Sequence, residues 1–136
     1  EEERLDGVMK VNFNGTVFGS MAALEKMKEQ KSGHIINIVS TSAFVQRINE
    51  SIYCSSKAAA KMFTECLFNE AKQFNVRVTG VYPGGMKTDL FNGGGLDARD
   101  INKMMDPAHV AELVAGMANS HPETAPLELR IPRMSK

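Results

Sequence analysis

The alternation of two hydrophobic patterns constrains the fold of this chain more than any other feature. Three short apolar runs rich in β-branched residues predict buried strands, at His34 to Val39, Val76 to Tyr82 and Leu127 to Ile131. Before and between these runs, apolar residues recur at spacings of three and four, which predicts helices. Helices that alternate with buried strands are typical of an α/β fold with right-handed parallel crossovers. We see no internal domain boundary or repeat, so residues 1–136 are predicted to belong to one domain.

Two long helices are predicted before and after the first strand. The first spans most of residues 1–30, although Gly15 and Gly19 interrupt it. Glycine inside a helix costs about 1 kcal/mol relative to alanine. The alternative is that these two glycines let another element approach the helix closely. The second helix is predicted from about Ile52 to Phe74.

A third helix is predicted to begin at Asp106, a favourable N-cap residue that is followed by Pro107 in the first turn. Residues 40–51 and 91–105 are predicted to form loops, because they lack a helical or strand period.

Composition argues against several classes of partner. The 16 basic and 16 acidic residues cancel and form no basic stripe, so nucleic acid is not the expected partner. No apolar run approaches the ~20 residues that cross a bilayer, and no signal peptide is visible. Cys54 and Cys66 are twelve positions apart on one predicted helix, about 18 Å, which is too far for a disulfide. We therefore expect reduced thiols in a cytoplasmic protein, and no cluster has the spacing of a metal site.

The pair Tyr53 and Lys57 is the first candidate for chemistry. Four residues apart on a helix, the two side chains lie on one face. A nearby ammonium favours the phenolate form of tyrosine, and a pKa lowered from about 10 toward 7 would make the phenol a usable general acid/base. The alternative is an exposed tyrosine and an exposed lysine on a solvated helix face. Taken alone, the motif favours that second interpretation.

The positions of other polar residues favour the catalytic interpretation of Tyr53 and Lys57 over the exposed one. Ser40 lies just beyond the carboxyl end of a predicted strand, and the segment from Pro83 to Thr88 follows the next strand. In open α/β sheets, ligands bind at this edge. Asn12 lies within the first helix, in Val-Asn-Phe-Asn-Gly.

Together, these motifs resemble the classical short-chain dehydrogenase/reductase family. Val-Asn-Phe-Asn-Gly, the strand ending in Ser40, Tyr-x-x-x-Lys thirteen residues later and Pro-Gly-x-x-x-Thr occur in the family's order and spacing. The resemblance covers nearly the whole chain. It implies the C-terminal catalytic portion of a Rossmann-like, doubly wound parallel sheet. It also implies an NAD(P)-dependent oxidoreductase that interconverts a small-molecule carbonyl and a secondary alcohol.

The resemblance also implies a role for each matching residue. Tyr53 is expected to be the catalytic acid/base, and Lys57 to lower its pKa and bind the nicotinamide ribose. Ser40 is expected to orient the substrate oxygen. The backbone carbonyl of Asn12 is expected to hold a water of the proton relay. The alternatives to these catalytic roles are structural: Ser40 could be a strand-end cap, and Asn12 could be an ordinary polar helix residue.

Further contacts are expected around the nicotinamide and the substrate. The residues expected to contact the cofactor, besides Tyr53 and Lys57, are Pro83, Gly84, Met86 and Thr88. Thr88 could instead be only a helix cap. Ser42 and Phe91 are candidates for the substrate pocket, together with Ser40 and Tyr53. The Gly93–Gly95 run is either the hinge of a substrate lid or a flexible linker without a function of its own.

The chain lacks two of the family's usual features. Its glycine-rich loop for the pyrophosphate and the residue that selects NAD or NADP do not occur in residues 1–136. By analogy, about a hundred residues are expected to be missing before Glu1, and the isolated fragment is expected to be unstable or to aggregate. The resemblance also implies a homodimer or homotetramer formed through helices 2–27 and 52–74. The rival interpretation is a non-catalytic fragment or assembly module. The substrate stays open among small ketones, 3-oxoacyl thioesters, hydroxy acids and polyols.

Overall fold

The sheet of this protein has three parallel strands. In a computed structural model, which describes residues 2–88 and 103–134, they are β1 (Gly33–Ile38), β2 (Val76–Pro83) and β3 (Glu128–Ile131). β2 lies in the centre of the order β1-β2-β3. Each strand boundary lies within one residue of its predicted position. The prediction of an α/β fold with a parallel sheet is therefore confirmed.

The first 30 residues form one continuous helix with a widened turn in its middle. α1 (Glu2–Met9) continues through a π turn at Lys10–Asn14 into α2 (Gly15–Gln30). The Gly15 N–H donates to a carbonyl five residues back, at Lys10, which is the bond that defines a π turn. No described atom lies within 4 Å of the position that a Cβ would take at Gly19. The two glycines therefore neither end the helix nor admit another described element.

The remaining helices also lie near their predicted positions. α3 (Ser51–Ala71) begins one residue earlier than predicted and continues into a short 3₁₀ turn at Lys72–Phe74. α4 (Pro107–Ala118) begins where the sequence predicts it. Its N-cap is Asp106, whose carboxylate accepts a 2.9 Å hydrogen bond from the backbone N–H of Ala108.

The main core lies between the sheet and the helices α2 and α3, which pack on the same face. Burying one aliphatic side chain of this kind stabilises a fold by about 1.5–3 kcal/mol. The buried residues of this cluster are Leu24, Ile35, Leu67, Ala71, Val76 and Val78.

A polar network ties both of these helices to β1. The Asn37 side chain accepts a 3.0 Å hydrogen bond from the Ser20 hydroxyl on α2. Its amide group donates a 3.1 Å hydrogen bond to the hydroxyl of Thr64 on α3, which in turn donates to the Ala60 carbonyl. Because buried polar groups are costly unless paired, this network fixes the two helices relative to the strand.

The opposite face of the sheet is covered by the segment that follows α4. The Arg77 guanidinium donates to the backbone carbonyl and the hydroxyl of Ser120. The Thr79 hydroxyl donates to the Pro126 carbonyl and also contacts His34 Nε2. Burial, and then the charge of Arg77, hold the pKa of His34 below its ordinary value of 6.5.

Two simpler findings concern the described residues only. None of their helices combines the length and the apolar character that a membrane span requires. Cys54 and Cys66 are both free thiols.

Candidate active site

A cleft with a volume of about 220 Å³ lies at the carboxyl ends of β1 and β2. It brings together most of the predicted site residues: Ser40, Ser42, Tyr53, Lys57, Pro83, Gly84, Met86 and Thr88 all line it. Phe91 and the Gly93–Gly95 run lie outside the described residues, as does most of the predicted 91–105 loop. Asn12 does not line the cleft; its side chain is linked to Tyr53 through the hydroxyl of Ser56.

Ser40 is positioned by the end of β1. The Val39 N–H donates a 2.7 Å bond to the Val81 carbonyl, which extends the pairing of the strands by one residue. The Ser40 hydroxyl oxygen then accepts a 3.0 Å hydrogen bond from the Ser42 N–H, at the start of a 3₁₀ turn spanning Thr41–Ala43. This bond occupies the oxygen as an acceptor, so the hydroxyl proton is available to a neighbour in the cleft.

The segment after this turn is held against the sheet by an aromatic ring. The Phe44 ring meets the ring of Tyr82 edge-on, with centroids 4.9 Å apart. Two cations also face it: the Arg130 guanidinium lies 3.8 Å from its centroid, and Lys61 Nζ lies 5.1 Å away. These contacts fix the entry of the loop that leads from Ser40 to α3.

Tyr53 lies in the first turn of α3, half-buried in the cleft. Burial raises the pKa of its phenol above the ordinary value of 10.0. A side-chain hydrogen bond with Ser40 and the charge of Arg47 act in the opposite direction, because both stabilise the phenolate. The net direction of the shift is upward, so the phenol is protonated at neutral pH.

Lys57 lies one turn further along α3, with its Nζ 5.7 Å from the centroid of the Tyr53 ring. Burial lowers the pKa of its ammonium group. Burial of the Tyr53 phenol outweighs the groups that favour the phenolate. The expected lowering of the Tyr53 pKa toward 7 is therefore not found in this structure, and the role of Lys57 stays a prediction.

Asn12 reaches α3 through a residue that the sequence analysis did not identify. Its side-chain amide donates a 3.1 Å hydrogen bond to the Ser56 hydroxyl, and Ser56 donates a 2.7 Å bond to the Tyr53 carbonyl. Ser56 is fully buried. The Asn12 carbonyl lies in the π turn and accepts a hydrogen bond from the Thr16 hydroxyl. The signal for Ser56 was its spacing of three from Tyr53, which places both on one side of the helix.

The other wall of the cleft is a backbone segment after β2. Gly84 donates a 2.9 Å hydrogen bond to the Ile131 carbonyl, and a Cβ at this position would lie only 3.1 Å from the Arg133 nitrogen. Met86 pairs with Met105 in a short parallel bridge. A side chain at position 84 would therefore require the chain after β3 to shift by a few tenths of an ångström.

Two charged residues of the cleft were also missed by the sequence analysis. Arg47 and Glu50 line the cleft beside Tyr53, within the predicted loop. Arg47 Nε lies 3.9 Å from a carboxylate oxygen of Glu50, which is only 7% exposed. The only signal was a pair of opposite charges three positions apart just before the tyrosine. Within residues 2–88 and 103–134, no group of three or more His, Cys, Asp or Glu side chains is arranged to hold a metal ion.

Comparison with known sequences places the chain in a family. The model of the family described as short chain dehydrogenase matches residues 1–97. An uncharacterized oxidoreductase of Staphylococcus aureus is 38% identical over 109 residues, which are 80% of this chain and 46% of the relative. An uncharacterized oxidoreductase of Staphylococcus saprophyticus is 38% identical over 110 residues, with 81% and 46% covered. The chain spans about half the length of the curated relatives it matches.

Comparison with solved structures agrees. An acetoin dehydrogenase from Enterobacter cloacae superposes with a TM-score of 0.81 at 26% identity, over 97% of this chain and 55% of that chain. The NADP-bound structure of ElxO gives a TM-score of 0.83 at 22% identity, over 97% and 58%, and shows a shared fold alone. Both agree with the predicted Rossmann-like sheet. Since the family model covers well over half of the sequence, this chain belongs to the short chain dehydrogenase family.

Proposed function

We propose that the protein interconverts a carbonyl and a secondary alcohol with NAD or NADP, and that Tyr53 is its general acid/base. The observation that carries this proposal is that Ser40, Tyr53 and Lys57 line one cleft at the carboxyl edge of the sheet. Membership of the short chain dehydrogenase family and the oxidoreductase relatives support it. Residues 1–136 are, in this proposal, the catalytic portion of a single cofactor-binding domain.

Proton transfer is assigned to Tyr53 and Ser40. The raised pKa of Tyr53 keeps a proton on its oxygen at neutral pH, where it can be given to a carbonyl oxygen during reduction. Ser40 can donate its own proton to the same substrate oxygen, because its oxygen already accepts from the Ser42 N–H. Alcohol oxidation requires the phenolate, which the Ser40 hydrogen bond stabilises.

The nicotinamide end of the cofactor fits the remaining residues of the cleft. The half-buried Lys57 makes no hydrogen bond or ion pair within the part of the chain that the structure describes. A partly desolvated ammonium is costly without acceptors, and ribose hydroxyls would supply them. The backbone wall would contact the carboxamide, through Pro83, Gly84, Met86 and Thr88. When bound, the nicotinamide supplies or accepts the hydride.

We further propose that the protein is a homodimer or homotetramer that associates through helices 2–27 and 52–74. Several large apolar side chains on these helices are exposed in the single chain. They are Leu5 at 44%, Val11 at 75%, Phe18 at 70% and Met62 at 59%. A second copy of the same surface would remove them from water. The free thiols fit the expected cytoplasmic location, where disulfides are rare.

The test compares the two tyrosines of the chain, Tyr53 and Tyr82. The whole gene product, read from its own start codon, is assayed for NADH and NADPH oxidation against a panel of carbonyl compounds. Tyr53→Phe is expected to lower turnover by about 10²- to 10⁴-fold, the usual contribution of a general acid/base. Tyr82→Phe removes the same hydroxyl from a fully buried position outside the cleft and is expected to retain activity. A well-folded protein without turnover would favour the non-catalytic assembly module. Full activity in Tyr53→Phe would instead contradict the assignment of Tyr53 as the general acid/base.

A further inference from the structure

The cleft contains charges that the proposed proton transfer does not use. Among the described residues that line it, the charged ones are Arg47, Glu50 and Lys57. Lys57 is assigned to the cofactor in the proposal above. Arg47 and Glu50 lie between Ser40 and Tyr53 in the sequence and face the same space. Arg47 is therefore the cation among these residues that is left to contact the substrate.

Arg47 has a buried donor that the described residues leave without an acceptor. Its Nε is inaccessible to solvent and has no hydrogen-bond partner within residues 2–88 and 103–134. The distance of 3.9 Å to Glu50 Oε2 is an ion-pair contact and is too long for a hydrogen bond. The Arg47 side chain as a whole is 33% exposed, so its exposed surface lies on atoms other than Nε. Nε itself is therefore out of reach of a ligand, and the other N–H donors of the guanidinium are the ones that can meet an anionic group in the cleft.

The guanidinium group restricts what that partner can be. Its N–H donors form a planar fork that matches a carboxylate or phosphate in two parallel hydrogen bonds. A cleft of about 220 Å³ favours a short substrate. The neighbouring Glu50 carboxylate is nearly buried and contacts the guanidinium from one side, which limits the orientations of Arg47.

We propose that Arg47 binds a carboxylate on the substrate, so that this cleft takes short oxo acids and the corresponding hydroxy acids. The inference rests on the proposed oxidoreductase function and specifies its substrate class. Burial is the largest influence on the Tyr53 pKa, and the Arg47 charge is among the groups that lower it, so the guanidinium lies within electrostatic range of the acid/base. A carboxylate bound at Arg47 would therefore hold the rest of a short substrate close to the Tyr53 oxygen.

The experiment uses two compounds that differ mainly in charge. Acetoacetate carries a carboxylate, and acetoacetamide is its neutral analogue of nearly equal size. Their kcat/KM values are measured with the whole gene product, with Arg47→Gln and with a control variant, Lys26→Gln. Lys26 pairs with Glu29 on the exposed surface of α2, where its side chain is 70% exposed. Its substitution removes one positive charge without touching the cleft.

We expect the wild type to prefer acetoacetate and Arg47→Gln to lower that preference by about 10- to 100-fold, the effect of one charge-assisted hydrogen-bonded contact. The preference is read as the ratio of the two kcat/KM values, so a loss of rate common to both compounds does not enter it, and Lys26→Gln should retain the wild-type ratio. An unchanged preference in Arg47→Gln, or a wild type that does not distinguish the two compounds, overturns the inference while leaving the oxidoreductase proposal intact.

Turnover and binding are measured separately so that the two proposals fail separately. If neither compound is reduced, isothermal titration measures the Kd of both compounds for the wild type and for Arg47→Gln. The ratio of the two Kd values then replaces the ratio of kcat/KM values as the test of the carboxylate site. Loss of acetoacetate binding in Arg47→Gln then supports the carboxylate site, although these compounds are not turned over. Equal binding to both proteins overturns it.

Discussion

Ser56 links the widened turn of the first helix to α3, and this link makes a quantitative prediction. Its hydroxyl accepts a 3.1 Å hydrogen bond from the Asn12 amide and donates a 2.7 Å bond to the Tyr53 carbonyl. Ser56 is fully buried and Asn12 is half-buried. Ser56→Ala removes both bonds at once and leaves the Asn12 amide without this acceptor.

The expected cost follows from the two bonds. Each intramolecular hydrogen bond contributes about 0.5–1.5 kcal/mol net, so their loss should lower the free energy of unfolding by about 1–3 kcal/mol. We also expect turnover to fall, because Tyr53 lies in the first turn of α3 and its backbone carbonyl is one end of the link.

Urea unfolding of the whole gene product measures this cost, with Ser55→Ala as the matched control. Ser55 is the preceding residue of the same helix and is exposed, so it shares the helix-propensity change without the two bonds. A double-mutant cycle with Asn12→Ala should give a coupling energy of about 0.5–1.5 kcal/mol. Equal stability of the Ser55→Ala and Ser56→Ala proteins, or strictly additive effects of Asn12→Ala and Ser56→Ala, would refute the proposed link.

Three further predictions concern stability. Tyr82→Phe should leave the free energy of unfolding unchanged or raise it, because the Tyr82 hydroxyl is buried without a partner among the described residues. A decrease of more than about 1 kcal/mol, measured by urea unfolding, would contradict this expectation. Asp106→Ala should cost about 0.5–2 kcal/mol through loss of the N-cap bond, seen as a lower Tm, whereas an unchanged Tm would mean that the cap contributes nothing. Because burial keeps the folded pKa of His34 below 6.5, the unfolded state takes up the proton first as pH falls below that value, so stability is lost with falling pH. His34→Gln should lose less stability over the same range, and parallel pH profiles of the two proteins would exclude this linkage.

The strands and most helix ends were predictable because their signals are local. A β-branched apolar run bounded by turn residues places β1 and β2 to within one residue. The side chain of Asp106 caps α4 as its sequence position predicts. The π turn at Lys10–Asn14 carries no such signal, since its extra residue is accommodated where Asn12 contacts Ser56 on another helix. It is a product of tertiary packing.

The candidate site was predictable only in part, for the same reason. The order of the motifs and their positions at strand ends predict that Ser40, Tyr53 and Lys57 lie together, and all three line the cleft. Arg47 and Glu50 enter the cleft through the path of a loop, which no periodicity encodes. The lowering of the Tyr53 pKa that the resemblance implies stays a prediction, because the burial of a phenol depends on neighbours from several segments and is the largest influence on this pKa.

Isotope transfer tests the central claim most directly. The whole gene product is incubated with a carbonyl substrate and with NADH or NADPH that carries deuterium at the transferred position of the nicotinamide ring. Mass spectrometry of the alcohol then reports whether deuterium has reached the carbinol carbon. We predict one deuterium per alcohol with the wild type, and a rate of transfer lower by about 10²-fold or more with Tyr53→Phe. Undiminished transfer by Tyr53→Phe, or no transfer by a wild type that binds the cofactor, would contradict the assignment of Tyr53 as the acid/base of this protein.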